Sequence, residues 1–344
     1  MSNRTEIGSL GEFGLIEHLT KNIEIHNAST ILGVGDDAAV IDHFGKQTLI
    51  TTDLLIEGIH FDLTYTPLKH LGYKSVMVNL SDIYAMNGTP TQITVSLGIS
   101  NRFSVEALSE LYEGIYLACN KHGVDLVGGD TSSSGKGLII SVTAIGEVAP
   151  DQFVKRSTAE KGHLICVSGD CGGAFLGLTL MEREKQIFLE NSQIQPNLEN
   201  ESYIVGRLLK PEARKDMIQF FQEASITPSA MMDISDGISS EVLHLCSQSR
   251  LGCKIYEDKL PIAEASRKAA FKFGLDPTVC ALNGGEDYEL IFTIRQEDHD
   301  KIVLNEEISV IGYMTDAEAG CKLISRGGNE YPLTAQGWNA FQSK

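Results

Sequence analysis

Long apolar runs are missing from this sequence. No stretch of about 18 consecutive apolar residues occurs, so a membrane-spanning helix is not expected. The first residues, Met1 to Gly11, are polar and lack the apolar segment of a secretory signal. Cysteines number seven, an odd count, and no two stand in the two-residue spacing of a zinc or redox motif. Most sit among apolar residues, where a free thiol acts as a small hydrophobe. A reducing, cytoplasmic compartment is therefore expected. Basic residues are scarce: 28 Lys and Arg face 46 Asp and Glu, a formal net charge of -18. Such a surface repels a phosphate backbone, so nucleic acid is not an expected partner. Tryptophan is nearly absent, with Trp338 its single copy. Low-complexity tracts and short-period repeats are also missing.

The 344 residues, 42% of them hydrophobic, exceed what one domain usually uses. Helical and strand patterns alternate, with glycine-rich joints between them, which predicts an α/β (α+β) fold. Ala149-Pro150-Asp151 is the best boundary, dividing residues 1–149 from 150–344. In the first part the spacing predicts a short helix over 11–19 and a strand over 47–56. A helix over 73–86, an alternating strand through Ile93, Val95, Leu97 and Ile99, and a strand over 137–148 also belong there. Ser104 reads as the N-cap of a helix that runs to His122 and stops at Gly123. In the second part strands are expected over 164–168, 230–234, 288–294 and 308–314. Helices are expected through Phe175, Leu178 and Met181 and over 238–249. Residues 193–202 read as a loop, and Pro211 as the first residue of a helix.

Acidic residues recur where these elements meet glycines: Gly35-Asp36-Asp37, Thr51-Thr52-Asp53, Asn79-Leu80-Ser81-Asp82, Gly128-Gly129-Asp130, Asp233-Ile234-Ser235-Asp236-Gly237 and Gly284-Gly285-Glu286-Asp287. Each taken alone reads as a turn residue or helix cap. Together they offer a second reading, because hard cations such as magnesium take oxygen ligands from a few carboxylates, waters and substrate phosphates. Two phosphate-binding motifs are excluded. Gly33-Val34-Gly35-Asp36-Asp37 puts carboxylates where a dinucleotide pyrophosphate needs bare amides. The run from Gly129 to Lys136 is one residue too long for a P-loop, and Gly137 stands where its Ser or Thr belongs. Without a P-loop lysine, nucleotide charge must be met mainly by metal ions.

Ten segments, in order along the chain, carry a resemblance: GEFGLI, GDDAAV, TTDLLIEGIHF, NLSDIYAMNGTP, GGDT, KRSTAEKG, RLLKPEAR, DISDGISSEVLHL, GGEDYELIFT and GWNAF. In this set the sequence resembles the thiamine-monophosphate kinases, a branch of the aminoimidazole-ribonucleotide-synthetase superfamily. The resemblance implies a two-domain synthetase-like fold. An N-terminal domain of sheet plus helices binds ATP and pairs in a homodimer, and a larger C-terminal α+β domain completes the active site. It implies ATP-dependent phosphorylation of thiamine monophosphate with several magnesium ions. Asp37, Thr51, Thr52, Asp53, Asp82 and Asp130 match metal ligands of the first domain, and Asp233 and Asp236 those of the second. Tyr112, Gly129, Asp130, Arg156 and Ser235 match the nucleotide side, with Tyr116 a rival to Tyr112. His60, Glu286 and Trp338 match the thiamine-phosphate side. Asp53, Asp130 and Arg156 carry the implied catalytic roles. The sequence departs from the pattern at Ser157-Thr158 and Lys161-Gly162-His163, and at Glu241, where an aspartate is usual; that last change reads as peripheral. A reactive N-terminal cysteine, needed for the selenide-activating relatives, is absent, since the first cysteine is Cys119. A non-catalytic metal-binding module is the alternative of a different class.

Overall fold

The alternation of Ile93, Val95, Leu97 and Ile99 places all four side chains on one face of a strand, and all four are buried. They form part of the first of two units in the computed structural model, which describes residues 18–32 and 40–336. The chain divides into residues 1–151 and 152–344. The helix expected over 11–19 falls largely outside the described residues.

The first unit runs β1 (Thr30–Leu32), β2 (Val40–Ile41), β3 (Gln47–Ile56), α1 (Leu68–Ala85), β4 (Thr89–Ile99), α2 (Val105–His122), β5 (Asp125–Ser133) and β6 (Ile139–Val148). Four strands make a sheet in the order β3-β6-β4-β5, and β1 pairs with β2 separately. Within the four, β4 and β5 are parallel and the other neighbours antiparallel. Helix α1 packs on α2 and on β3, β4 and β6. Tyr73, Val76, Met77 and Leu80 of α1 are fully or nearly fully buried, which is the helical spacing legible in the sequence. Helix α2 is bounded as its sequence predicts. The Ser104 side chain accepts a hydrogen bond from the Ala107 N–H, and Gly123 ends the helix at φ 70°.

The second unit runs β7 (Leu164–Ser168), α3 (Gly173–Glu190), α4 (Ser202–Leu209), α5 (Lys215–Glu223), β8 (Ala230–Asp233), α6 (Ile238–Ser249), β9 (Leu251–Tyr256), α7 (Glu264–Phe273), α8 (Pro277–Asn283), β10 (Leu290–Ile294), α9 (His299–Ile302), β11 (Ile308–Asp316), β12 (Cys321–Ile324) and β13 (Glu330–Pro332). Its seven-stranded sheet has the order β13-β12-β9-β11-β7-β10-β8. Every residue of β8 and β10 is buried, as expected of strands covered on both faces. One apolar cluster gathers Ile165, Val167, Met232, Val242, Leu245, Ile255 and Ile291 between the sheet and α6. A second gathers Leu176, Leu180, Ile204, Ala269 and Ala270 beneath α3, α4 and α7.

Pro211 does not open a helix. It stands two residues past Leu209, where α4 ends, and the next helix begins at Lys215. Proline is common at that distance after a helix because it cannot continue one, a role equally compatible with its ring. The short strands β9, β12 and β13 carry too little alternation to be read from sequence. Among the described residues no helix is long and apolar enough to cross a membrane.

Candidate active site

Two acidic clusters are present, one in each unit. In the first, Thr51 and Asp53 are alternate residues of β3, so both lie on its α1 face. The Thr51 hydroxyl donates to Asp82 Oδ2 at 2.6 Å. The Asp53 N–H donates to Asn79 Oδ1 at 2.9 Å, while Asn79 Nδ2 donates to the Ser75 carbonyl at 3.0 Å. Asn79 and Asp82 are three apart on α1, hence on one face. Burial first, and the charge of Asp82 second, push the Asp53 carboxyl up to about 6. No ion pair among the described residues involves Asp53. Asn79 was not among the expected site residues, although its spacing from Asp82 was the available signal.

Thr52 turns the other way. Its hydroxyl donates to the Val142 carbonyl at 3.1 Å and accepts from Thr143 at 3.1 Å. A strand has a period of two, so adjacent Thr51 and Thr52 cannot present side chains to the same face. Asp130 is exposed on β5, in register with Ser96 of β4. Strands β3 and β5 are the two edges of the sheet. Three strand spacings of about 4.8 Å put Asp130 on the order of 14 Å from the Asp53 strand. The single chain therefore joins Thr51, Asp53, Asn79 and Asp82 but leaves Asp130 apart. Beside Asp130, a Cβ on Gly129 would lie 1.8 Å from the Val95 carbonyl oxygen, so only glycine fits there.

His60 follows β3, and its Nδ1 accepts the Ile56 N–H at 3.0 Å. Tyr112 is buried, with its ring edge-on to Tyr116 at 5.9 Å. The Tyr116 hydroxyl donates to the Leu19 carbonyl, so that side chain serves to hold the preceding segment. Asp37 and Trp338 lie outside the described residues.

The second cluster joins the loop after β8 to the loop before β10. Glu286 N–H donates to the Ser235 carbonyl at 2.7 Å, Tyr288 N–H to Ile234 at 2.9 Å, and Ile234 N–H to Glu289 at 2.8 Å. These bonds bring Asp233, Ser235, Asp236 and Glu286 together. The second loop holds an unusual backbone: Gly285, Glu286 and Tyr288 have φ of 72°, 62° and 53°. Glu286 and Tyr288 sit in the left-handed region without being glycine, a conformation that costs energy and marks functional loops. Burial chiefly raises the Asp236 carboxyl, His244 lowers it and Glu286 adds a raising charge.

Glu241 is central, not peripheral as its sequence position suggested. It is 1% exposed, and its Oε1 accepts the Asp236 N–H at 2.9 Å. Burial pushes its carboxyl up to about 8. An acid in the first turn of α6 that reaches back to the preceding loop was the signal for this role. Two further acids of GGEDYEL anchor the loop. Asp287 accepts the Gly172 and Ala174 N–H groups at the start of α3, at 2.7 and 3.3 Å. Glu289 accepts from Ser168, Arg207 and Arg214 at 2.6, 2.9 and 2.5 Å. Both arginines belong to the RLLKPEAR segment, which thereby clamps the GGEDYEL strand. Arg156 has an exposed side chain, and no ion pair among the described residues involves it.

Among the described residues no three carboxylates converge to within 4.8 Å of one another. An ion at either acidic cluster could therefore take only one or two carboxylates, a number compatible with magnesium, which keeps waters and takes substrate phosphates as further ligands.

Residues 35–148 match the family described as AIR synthase related protein, N-terminal domain. The chain is 36% identical to the thiamine-monophosphate kinase of Aquifex aeolicus strain VF5, over 84% of this chain and 87% of that one. It is 31% identical to the thiamine-monophosphate kinase of Bacillus subtilis strain 168, over 97% and 100%. The solved structure of AaThiL complexed with AMPPCP and TMP has a TM-score of 0.74 and 31% identity, covering 99% of this chain and 100% of that one.

Proposed function

The chain belongs to the thiamine-monophosphate kinase family, and from that premise we propose that it transfers the terminal phosphoryl group of ATP to the phosphate of thiamine monophosphate. The observation that supports this reading is the pair Asp53 and Asp82, partly buried oxygen donors whose mutual repulsion a cation would relieve. Thr51, Asp53 and Asp82 in the first unit, and Asp233 and Asp236 in the second, are the residues that would hold magnesium. When bound, magnesium would neutralise phosphate charge that an acidic protein without a P-loop lysine otherwise repels.

The remaining work falls to the chain itself. Thr51 fixes one Asp82 oxygen, and Asn79 fixes the backbone at Asp53, so the Asp82 carboxylate and the strand that carries Asp53 are held before substrate arrives. Arg156 offers an exposed planar fork suited to phosphate. Ser235 and Glu286 lie on the laced loops of the second unit, beside the nucleotide and the thiamine phosphate respectively in this proposal. A homodimer completes the assembly. Edge strand β3 exposes Ile50 at 69% and Leu54 at 50%, an apolar face for a second copy to cover. The separation of Asp130 from Asp53 within one chain gives that second copy a further purpose, since its β5 edge can supply the missing carboxylate.

The acceptor distinguishes this reading from others. An alcohol must lose a proton to attack, and an aspartate already holding a cation is a poor base. A phosphate monoester has a second pKa of about 6 and is mostly a nucleophilic dianion at neutral pH. ADP production by purified protein with ATP and magnesium, compared for thiamine and thiamine monophosphate, tests the proposal. Rapid ADP formation with thiamine monophosphate alone is expected, with thiamine diphosphate found by mass. Comparable rates with thiamine would sink the phosphate-acceptor mechanism, and magnesium binding without ADP would favour a non-catalytic module.

A further inference from the structure

Three cysteines distant in sequence meet in the second unit. Cys246 lies near the end of α6, Cys253 on β9 and Cys321 at the start of β12. Strands β9 and β12 are parallel neighbours, with Cys253 directly opposite Cys321. The Sγ atoms of all three lie within 4.8 Å of one another. Cys246 and Cys253 are buried and Cys321 is half-buried, so the group is open on one side. Among the described residues this is the sole trio of His, Cys, Asp or Glu side chains whose ligand atoms converge so closely.

Packing alone does not require sulfur at all three positions. Val242, Leu245, Ile255 and Met314 surround the trio, and a buried thiol there is a small hydrophobe. What packing leaves unexplained is the convergence of three soft donors from three separate segments. From this arrangement we infer that Cys246, Cys253 and Cys321 form a binding site for a thiophilic cation of the zinc and copper(I) class. Thiolate sulfur selects such soft or borderline ions over magnesium. Zinc–sulfur bonds of about 2.3 Å set tetrahedral sulfurs about 3.8 Å apart, so the trio needs an inward movement of at most about 1 Å. The fourth position faces the open side at Cys321, where water or a small ligand completes the shell. Binding breaks up to three S–H bonds, forms three metal–sulfur bonds and releases the protons to the buffer. Helix α6 begins at Ile238, just after the Asp233–Asp236 segment, so a cation at its far end would tie that helix to β9 and β12.

Cadmium is a suitable probe, because its bonds to thiolate absorb in the ultraviolet and its bonds to carboxylate do not. Chelator-treated, reduced full-length protein is titrated with cadmium chloride in excess magnesium, while absorbance and proton release are followed. One equivalent per chain is expected to give the thiolate band, zinc to displace it, and the half-buried Cys321 to become protected from a thiol reagent. Cys321→Ser, which changes only the half-buried member, is expected to weaken cadmium binding at least tenfold. Cys246→Ala serves as a second variant should the first misfold. Thiol protection in the unmodified protein needs no variant at all. Absence of the band, or an undiminished band in Cys321→Ser, overturns the inference. So does a Cys253–Cys321 disulfide formed by mild oxidant in a reduced protein that takes up no cadmium.

Discussion

In the first unit Asp53 and Asp82 stand on a strand of 10 residues and a helix of 18, with ordinary backbone at both positions. In the second unit Asp236 and Glu286 stand on two loops that hold each other by backbone hydrogen bonds, and Glu286 has a φ of 62°. The first cluster takes its geometry from the periods of regular structure, with Thr51 and Asn79 as trim. The second takes its geometry from a strained turn that buried neighbours keep in place. Asp287 pins it to the start of α3, Glu289 to two arginines, and Glu241 caps its partner loop. Substitution should therefore separate function from folding in the first cluster and affect both together in the second.

The sharpest test of that contrast is Asp53→Asn. Loss of one carboxylate from the set that would hold magnesium against the reacting phosphates is expected to lower kcat by roughly 100- to 1000-fold. Because burial disfavours the Asp53 carboxylate, a neutral amide should leave Tm unchanged or higher. Near-normal turnover in limiting magnesium would remove Asp53 from the metal set, and a large fall in Tm would erase the contrast between the clusters.

Gly285→Ala probes the other side. The new Cβ would meet the Ser235 carbonyl oxygen at 2.5 Å, at a φ of 72° that alanine disfavours. A stability loss of about 1–3 kcal/mol is expected together with lost activity, read by denaturant melts and by ADP formation on the same preparation. A variant that melts normally yet is inactive would mean that the second cluster, too, is decoupled from folding.

The finest comparison lies within β3 itself. Thr51→Val removes the hydroxyl that fixes Asp82 and is expected to reduce kcat about tenfold, the worth of one hydrogen bond to a charged group. Thr52→Val, on the opposite face, is expected to change kcat little and stability by no more than about 1 kcal/mol. Equal losses from the two would show that the face of the strand does not decide the role.

Much of the first cluster was legible. Apolar alternation in β4, the Ser104 cap and the helical spacing of Tyr73, Val76 and Leu80 are local patterns, and local patterns survive into the fold. Thr51 and Thr52 were grouped because they are adjacent in sequence, whereas the strand's period of two sends them apart. Asp53 and Asp130 were grouped because both match metal ligands in the resemblance, whereas strand order places them on opposite edges. Pro211 was read as a helix opener because a proline fits equally at a first turn and just past a last one. Glu241 was judged by what residue type usually stands there, and its burial against Asp236 reversed that judgement.

By itself the sequence determined the composition of the sites: oxygen donors at element ends, the absence of a P-loop lysine, and an ordered set of motifs specific enough to identify the family. It also determined the elements whose signals are periodic, since hydrophobic spacing and caps act within a few residues. Tertiary structure alone decided which donors meet. Sheet order separated Asp130 from Asp53, the clamp of Arg207 and Arg214 on Glu289 joined segments about 80 residues apart, and strand pairing set Cys253 beside Cys321. Such meetings depend on contacts between distant segments, and the free energy that selects them comes from burying the whole unit, a quantity that no short stretch of sequence contains.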